Sequence, residues 1–427
     1  MTDTIFAVSS GTPPAAIAIL RVSGAGAFAA AQALAGTLPP PRRAALRALH
    51  KGGELLDRAL VLLFPGPASA TGEDLAELHL HGGRAVVRAV EAALAALPGL
   101  RAAEPGEFTR RALTNGRIDL SEAEGLGDLL MAETESQRRV AIRAAEGAVR
   151  RAVEGWMARV LLLSASVEAL LDHDDEDDVG EQHILPPLRR DAASLAAEIG
   201  ETACRPPVER LRDGLRIVLA GPPNAGKSSL LNALAGREAA IVSPVAGTTR
   251  DRIEAPVTRA GVAYILTDTA GLTDTPGDAI EAIGITRAKN ALDTADMVIW
   301  LGDEPPPLHP HLIRIHARSD LAERQAIPVG VLPVSAVSGE GIDRLWDALS
   351  DQGSDLLPPP DLVALNVRQA ALSRAAADAL EAIADEADLL LVAEHLRTAL
   401  RAFDTITGRG NVEAMLDALF ERFCIGK

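Results

Sequence analysis

At 427 residues the chain is long enough for about three domains, on the rough rule of one per 150 residues. Its 48% of hydrophobic residues suffices for packed cores, but only 3% are aromatic, so Ala, Leu and Val carry most of the packing. A net charge of −17 argues against a broad electrostatic embrace of nucleic acid, and two cysteines, Cys204 and Cys424, exclude a disulfide framework and fit a reducing compartment. The start, Met1-Thr-Asp-Thr-Ile-Phe6, lacks the basic region of a signal peptide, and no apolar run reaches spanning length, so a soluble, cytoplasmic chain with no membrane partner is expected.

Strands are predicted at Ile17–Val22, Ala59–Phe64 and Leu75–Leu80, and helices at Phe28–Leu34 and Ala85–Ala96, which makes residues 1–118 an α+β domain. From 119 to 211 the composition turns to Ala, Leu, Glu and Arg, the signature of long helices, with breaks expected at the acidic run Asp172–Asp178 and at Pro186-Pro187. That acidic run reads as a solvated turn. Residues 214–352 alternate strands (Leu215–Ala220, Ala263–Thr267, Met297–Leu301, Val329–Val334) with helices, a pattern for a mostly parallel covered sheet. Helical patterning resumes over 361–427. The expected fold class is multidomain α/β and α, with an α/β module inserted into a helical domain.

The inserted module opens on Gly221-Pro-Pro-Asn-Ala-Gly-Lys227-Ser228, a complete G-x-x-x-x-G-K-[ST] between a strand and a helix at Ser229–Ala235. Such a loop turns backbone N–H groups onto phosphate oxygens, Lys227 adds a cation, and the Ser228 hydroxyl can ligate magnesium. Gly247-Thr248-Thr249-Arg250 follows, where a threonine hydroxyl can reach magnesium and the γ-phosphate. Asp268-Thr-Ala-Gly271 then ends a strand, offering a carboxylate near the metal and a glycine backbone near the γ-phosphate. These are the ordered landmarks of a GTPase.

The base-reading end departs from pattern. Where N-K-x-D is usual, the chain has Ala317-Arg318-Ser319-Asp320, and Ser335-Ala336 follows. Asp320 can still pair with the guanine N1–H and exocyclic amine, so guanine is favoured, with looser discrimination expected for want of the asparagine. The position after the D-x-x-G glycine, where a glutamine orients water in Ras-like proteins, is Leu272. Glu281 and Asp278 are candidates to replace it, against the reading of both as solvated carboxylates.

Beyond these residues the chain resembles the MnmE (TrmE) family of tRNA-modifying GTPases. The resemblance rests on Gly221–Ser229, Ala240–Asp251, Asp268–Leu272 and Ile283-Gly-Ile285; on Ile19–Gly24, Thr71–Asp74, His81–Gly83, Pro105–Phe108 and Asn115–Leu120; and on the terminal Cys424-Ile-Gly-Lys427. It implies a folate-binding-like dimerisation domain at 1–118, a helical domain in two parts (119–211 and 361–427), and a Ras-like GTPase domain at 214–352. It also implies a homodimer that works with the flavoprotein MnmG, which is FAD/NADH-dependent, to add an aminomethyl-type group at C5 of tRNA wobble uridine, using a tetrahydrofolate derivative as carbon donor.

By the same resemblance the folate contacts are Arg21, Glu77, Arg117 and Lys427, with arginine at 117 in place of the family's lysine, and Cys424 is a candidate thiol participant. GTP and Mg2+ would be held by Asn224, Ala225, Gly226, Lys227, Ser228 and Ser229, by Ser243, Thr248, Thr249, Asp268 and Gly271, and at the base by Asp320, Ser335 and Ala336. The metal ligands would be Ser228 and Thr249 for Mg2+, and Asn224, Ser243, the Val245 carbonyl and Thr248 for an activating K+. Asn224, Lys227, Thr249 and Glu281 would be catalytic, with Glu281 orienting water once two G domains meet. Two alternatives stand against this. A ribosome-assembly GTPase switch predicts a basic RNA-docking appendage, which the chain lacks. An ATPase motor conflicts with Ser335-Ala336.

Overall fold

The computed structural model describes residues 3–172, 178–236, 254–269, 289–324, 326–409, 419–420, 423 and 426. The fold is multidomain, α/β and α, and divides into two compact units. One joins Met1–Gly127, Ala145–Gly155 and Leu400–Lys427; the other joins Asp128–Ala144 and Trp156–Ala399.

In the first unit, β1 (Thr4–Val8), β2 (Ile17–Ser23), β3 (Ala45–Lys51), β4 (Glu54–Phe64), β5 (Leu75–His81) and β6 (Leu100–Ala102) form one sheet in the order β3-β4-β5-β2-β1-β6. All neighbours are antiparallel except β1 and β6. Period-two alternation decides which face is covered. Along β5, Leu78 and Leu80 are buried while Glu77 and His79 point the other way and stay partly open. The apolar face packs in one core with α1 (Ala27–Ala35) and α2 (Arg84–Ala95), which bury Ala31 and Leu94 against Val22 and Leu78. The helices α3 (Glu107–Thr114) and α4 (Leu120–Met131) follow β6 in the chain.

The second unit carries long helices and the second sheet. After α5 (Glu135–Ala145) and α6 (Ala148–Asp172) comes α7 (Asp178–Ala203), which runs unbroken through Pro186 and Pro187. The break expected there does not occur. Proline in a helix interior costs about 3 kcal/mol, but Leu185, Leu188, Ala192, Leu195, Ala196 and Ile199 lie at helical spacing and are all buried. At about 1.5–3 kcal/mol for each fully buried large aliphatic side chain, that face outweighs the prolines. Its partner is the helix Val367–Ala382, described below.

After α8 (Val208–Asp213), the strands β7 (Leu215–Ala220), β8 (Glu254–Arg259), β9 (Val262–Asp268), β10 (Met297–Trp300), β11 (Leu312–Ala317) and β12 (Leu332–Val334) line up as β12-β11-β10-β7-β9-β8. Every pairing is parallel except β8 with β9. Five of the six residues of β7 are buried, because a central parallel strand is covered on both faces. The helices α9 (Lys227–Gly236) and α10 (Ile342–Ser354) cover it, Trp346 of α10 meeting Tyr264 edge-on at 5.3 Å between ring centroids. Strand β12 is shorter than predicted: Val329 is fully exposed, and Gly330 at φ +77° turns the chain before Leu332. The helix α11 (Val367–Ala382) starts with a capping box, Asn366 accepting from the Gln369 N–H at 2.8 Å and Gln369 accepting from the Asn366 N–H at 3.1 Å. Then comes α12 (Leu389–Thr407). Among the described residues no helix is long and apolar enough to cross a membrane.

Candidate functional site

The phosphate loop is shaped by three backbone conformations. Gly221 sits at φ +151°, and a Cβ there would come within 3.2 Å of Leu301 Cβ. Asn224 adopts φ +60°, a left-handed conformation that asparagine tolerates better than most residues, and Gly226 adopts φ +97°. The chain therefore curls back on itself between β7 and α9, whose positive dipole end begins at Lys227.

Lys227 is buried at 6% exposure, and its Nζ donates to the carbonyls of Gly221 and Pro222, both at 3.0 Å. Burial pushes its amine below the ordinary lysine value, with the charge of Asp268 working in the opposite direction. The loop thus holds a partly desolvated cation whose hydrogen bonds, among the described residues, go to carbonyls of the loop itself. Next to it, Ser228 Oγ donates to Asp268 Oδ2 at 2.5 Å, and Asp268 is 1% exposed at the end of β9. Thr269 ties that end to β7, its N–H and hydroxyl both donating to the Leu219 carbonyl at 3.3 and 2.9 Å. A hydroxyl and a carboxylate converging beside a phosphate loop form an oxygen donor set that suits a hard divalent cation.

Across from the loop lies a cavity of about 330 Å³, with Ala225, Gly226 and Ser229 on one side and Ala317, Asp320 and Ala336 on the other. Ala317 ends β11 with its side chain buried; Arg318 follows at φ +61° and runs alongside the phosphate loop, its Nε 3.8 Å from where a Cβ on Gly226 would stand. Ser335 is fully buried and faces inward: its Oγ accepts from the N–H groups of Val337 and Ser338 at 3.2 and 3.1 Å, and its own N–H donates to Glu340 at 2.9 Å. Its hydroxyl shapes the turn that presents Ala336 to the cavity.

The first unit brings together two of the residues expected to contact folate. Arg21 donates to Glu77 Oε1 through Nη2 at 2.8 Å and Nε at 3.2 Å, and its guanidinium lies 5.8 Å from the centre of the Phe108 ring. Burial would raise the Glu77 carboxyl, but the bond to Arg21, its charge and His79 together hold it below its ordinary value. Arg117 is exposed and packs its Cγ towards Gly72; among the described residues no hydrogen bond joins it to Arg21 or Glu77.

The same unit holds a cluster that motif reading missed. Arg111, 1% exposed, donates to Glu107 and Glu73 at 3.0 Å and to the Asp3 side chain at 3.1 Å. Glu73 in turn accepts from Ser23 Oγ at 3.0 Å, and Ser23 meets Thr71 at 2.7 Å. Asn115 donates to the Thr71 carbonyl at 2.7 Å, so the 71–74 loop is fixed against the segment carrying Arg117. The i,i+4 spacing of Glu107 and Arg111 was the available signal.

Of the other expected site residues, Ser243, Val245, Thr248, Thr249, Gly271, Glu281, Cys424 and Lys427 lie outside the described residues, as do Leu272 and Asp278.

A family profile for the GTP-binding protein TrmE N-terminus matches residues 4–117, and one for the MnmE helical domain matches residues 120–424. The chain belongs to the MnmE family. It is 58% identical over 426 residues to the tRNA modification GTPase MnmE of Erythrobacter litoralis, with 100% of each chain covered. It is 56% identical to the protein of that name from Rhizorhabdus wittichii, over 100% of this chain and 97% of the relative. A third, from Novosphingobium aromaticivorans, is 53% identical with both chains covered in full. The helical profile of the MnmE family spans 120–424 and so encloses the sheet that carries the phosphate loop.

Proposed function

We propose that this chain is a potassium-activated GTPase whose G domains dimerise. With a flavoprotein partner it would add an aminomethyl-type group at C5 of the wobble uridine of tRNA, drawing carbon from a methylene-tetrahydrofolate-type donor. The observation that carries the reading is the full-length match to relatives named tRNA modification GTPase MnmE. The convergence of Ser228 and Asp268 next to Lys227, and a cavity lined by the adjoining Gly226 and Ser229 and by Asp320, support the nucleotide part of it.

In this reading the loop N–H groups and Lys227 hold the outer phosphates, and Ser228, Asp268 and Thr249 hold the magnesium side. Magnesium, when bound, supplies charge neutralisation on the β- and γ-phosphate oxygens. Asn224 with Ser243, Val245 and Thr248 holds potassium, Glu281 orients water where Leu272 cannot, and Asp320 reads the base. Arg21, Glu77, Arg117 and Lys427 hold the folate, with Cys424 as a candidate thiol participant. The layout is a dimerising domain at 1–118, helical parts at 119–211 and 361–427, and a G domain at 214–352.

Two measurements test it. GTP hydrolysis should run faster in potassium than in sodium, and Asn224→Ala should remove that difference and slow the potassium rate on the order of 10²-fold, as loss of one charge-stabilising group does. Equal rates in the two salts would sink the potassium mechanism. In a strain lacking the gene, mass spectrometry of tRNA nucleosides should show the C5-modified wobble uridine replaced by its unmodified form. An unchanged nucleoside profile would sink the assignment to tRNA.

A further inference from the structure

Reading a purine takes groups on more than one of its edges. Guanine offers two adjacent donors, N1–H and the 2-amino group, on one edge, and two acceptors, O6 and N7, on another. A carboxylate complements the first edge and repels adenine, whose N1 is an acceptor. The second edge needs donors.

The cavity beside the phosphate loop supplies the first requirement in Asp320; towards the second it offers the backbone at Ala336 and Val337 but no side-chain donor at the end of β11. Position 317, at the end of β11, contributes only a buried methyl group. The walls near it are Ile315, Leu230 and Val334. The Ser335 hydroxyl is turned inward onto Val337 and Ser338, so it gives the base nothing. Arg318 lies along Gly226, a position from which a planar guanidinium covers the face of a base. Ser229 belongs to the first turn of α9, at the phosphate end.

We infer that this protein leaves the imidazole edge of guanine, N7, unread because position 317 is alanine, while Asp320 takes the N1–H and 2-amino edge. The inference rests on the GTPase reading above and deepens it. Base selectivity is then concentrated on Asp320, and ligands altered at N7 are accepted as well as GTP.

The test is competition binding on the full chain with GTP, 7-deaza-GTP, ITP and ATP. GTP and 7-deaza-GTP should bind within about twofold of each other, the range left when no hydrogen bond is lost. ITP, which lacks the 2-amino group, should bind on the order of tenfold more weakly for the loss of one charge-assisted bond. In Ala317→Asn a carboxamide donor reaches the N7 edge, and 7-deaza-GTP should fall behind GTP by about fivefold. A fivefold or larger penalty for 7-deaza-GTP in the unaltered protein overturns the inference while leaving GTP binding intact. A ratio unchanged in the asparagine variant overturns the assignment to position 317. Failure of GTP itself to bind overturns the nucleotide reading and this inference with it. The comparison in the unaltered protein decides the matter even if the variant melts early.

Discussion

Lys227→Met is expected to weaken GTP binding by about two orders of magnitude and to bring hydrolysis close to background, while leaving the ligand-free protein folded. The reason lies in what the ammonium does without a ligand. Its Nζ is bonded to the Gly221 and Pro222 carbonyls, and burial holds its pKa down, so the charge is only partly compensated. Triphosphate oxygens supply the missing negative charge in a site already shielded from water, where a charge-assisted bond is stronger than at the surface. Methionine keeps the apolar stem and removes only the charge.

Thermal melting separates the two effects. Ligand at 100 times its dissociation constant stabilises a protein by about 2.7 kcal/mol. On the transition that responds to GTP, that rise should vanish in the variant while the same transition barely moves without ligand. The pH dependence has a definite sign. The folded amine titrates below its unfolded value of 10.5, so the unfolded chain binds more protons between the two values. The ligand-free protein therefore gains stability from this group as pH rises through that window, and the variant lacks the slope. A variant that binds GTP as tightly as the unaltered protein would remove Lys227 from the site.

What could be read beforehand was what is local. Strand β7 falls on its predicted residues because an apolar run between turn signals leaves no choice of face. The phosphate loop and Asp268 follow from fixed spacing along one strand–loop–helix passage. The errors came where distant packing overrides local preference. The prolines of α7 are tolerated because a buried stripe lies against α11, which is more than 160 residues away in the chain. Val329 looked like strand, but Gly330 at φ +77° and the turn from Pro328 to Val331 leave it in solvent. Ser335 pins its own turn through its hydroxyl, a role that only hydrogen-bond partners reveal. The Arg111 cluster draws on residues 3, 73, 101 and 107, and the i,i+4 pair Glu107–Arg111 is the one part of it that lies within a single segment.

That cluster carries the second large effect. Arg111→Leu should destabilise the first unit by about 3–5 kcal/mol, the usual consequence of removing one partner from a buried ionic group. It leaves Glu107, 6% exposed, with Arg101 as its remaining cation and Glu73 with the Ser23 hydroxyl, both beside a side chain that can donate no bond. Arg111→Lys should recover only part of this, because one ammonium cannot serve carboxylates lying on three sides of a planar fork. Acid should narrow the gap. Burial would raise the Glu107 carboxyl, but Arg101, the Glu104 N–H and Arg111 together hold it below its ordinary value of 4.5, and Arg101 holds Asp3 down likewise. The stabilisation is therefore complete above about pH 4.5 and lost as pH falls through the lowered values, so the unaltered protein and the leucine variant should converge in acid. Amide exchange reads this locally, at the Ala103 N–H bonded to the Phe6 carbonyl and along α3, where a chain of several domains has no single unfolding transition. Exchange there that is unchanged at neutral pH would show that Arg111 holds nothing. Faster exchange that extends from β1, β6 and α3 into the 71–74 loop and residues 115–117 would show that the clamp on that loop, and through Asn115 on the segment bearing Arg117, depends on this one guanidinium.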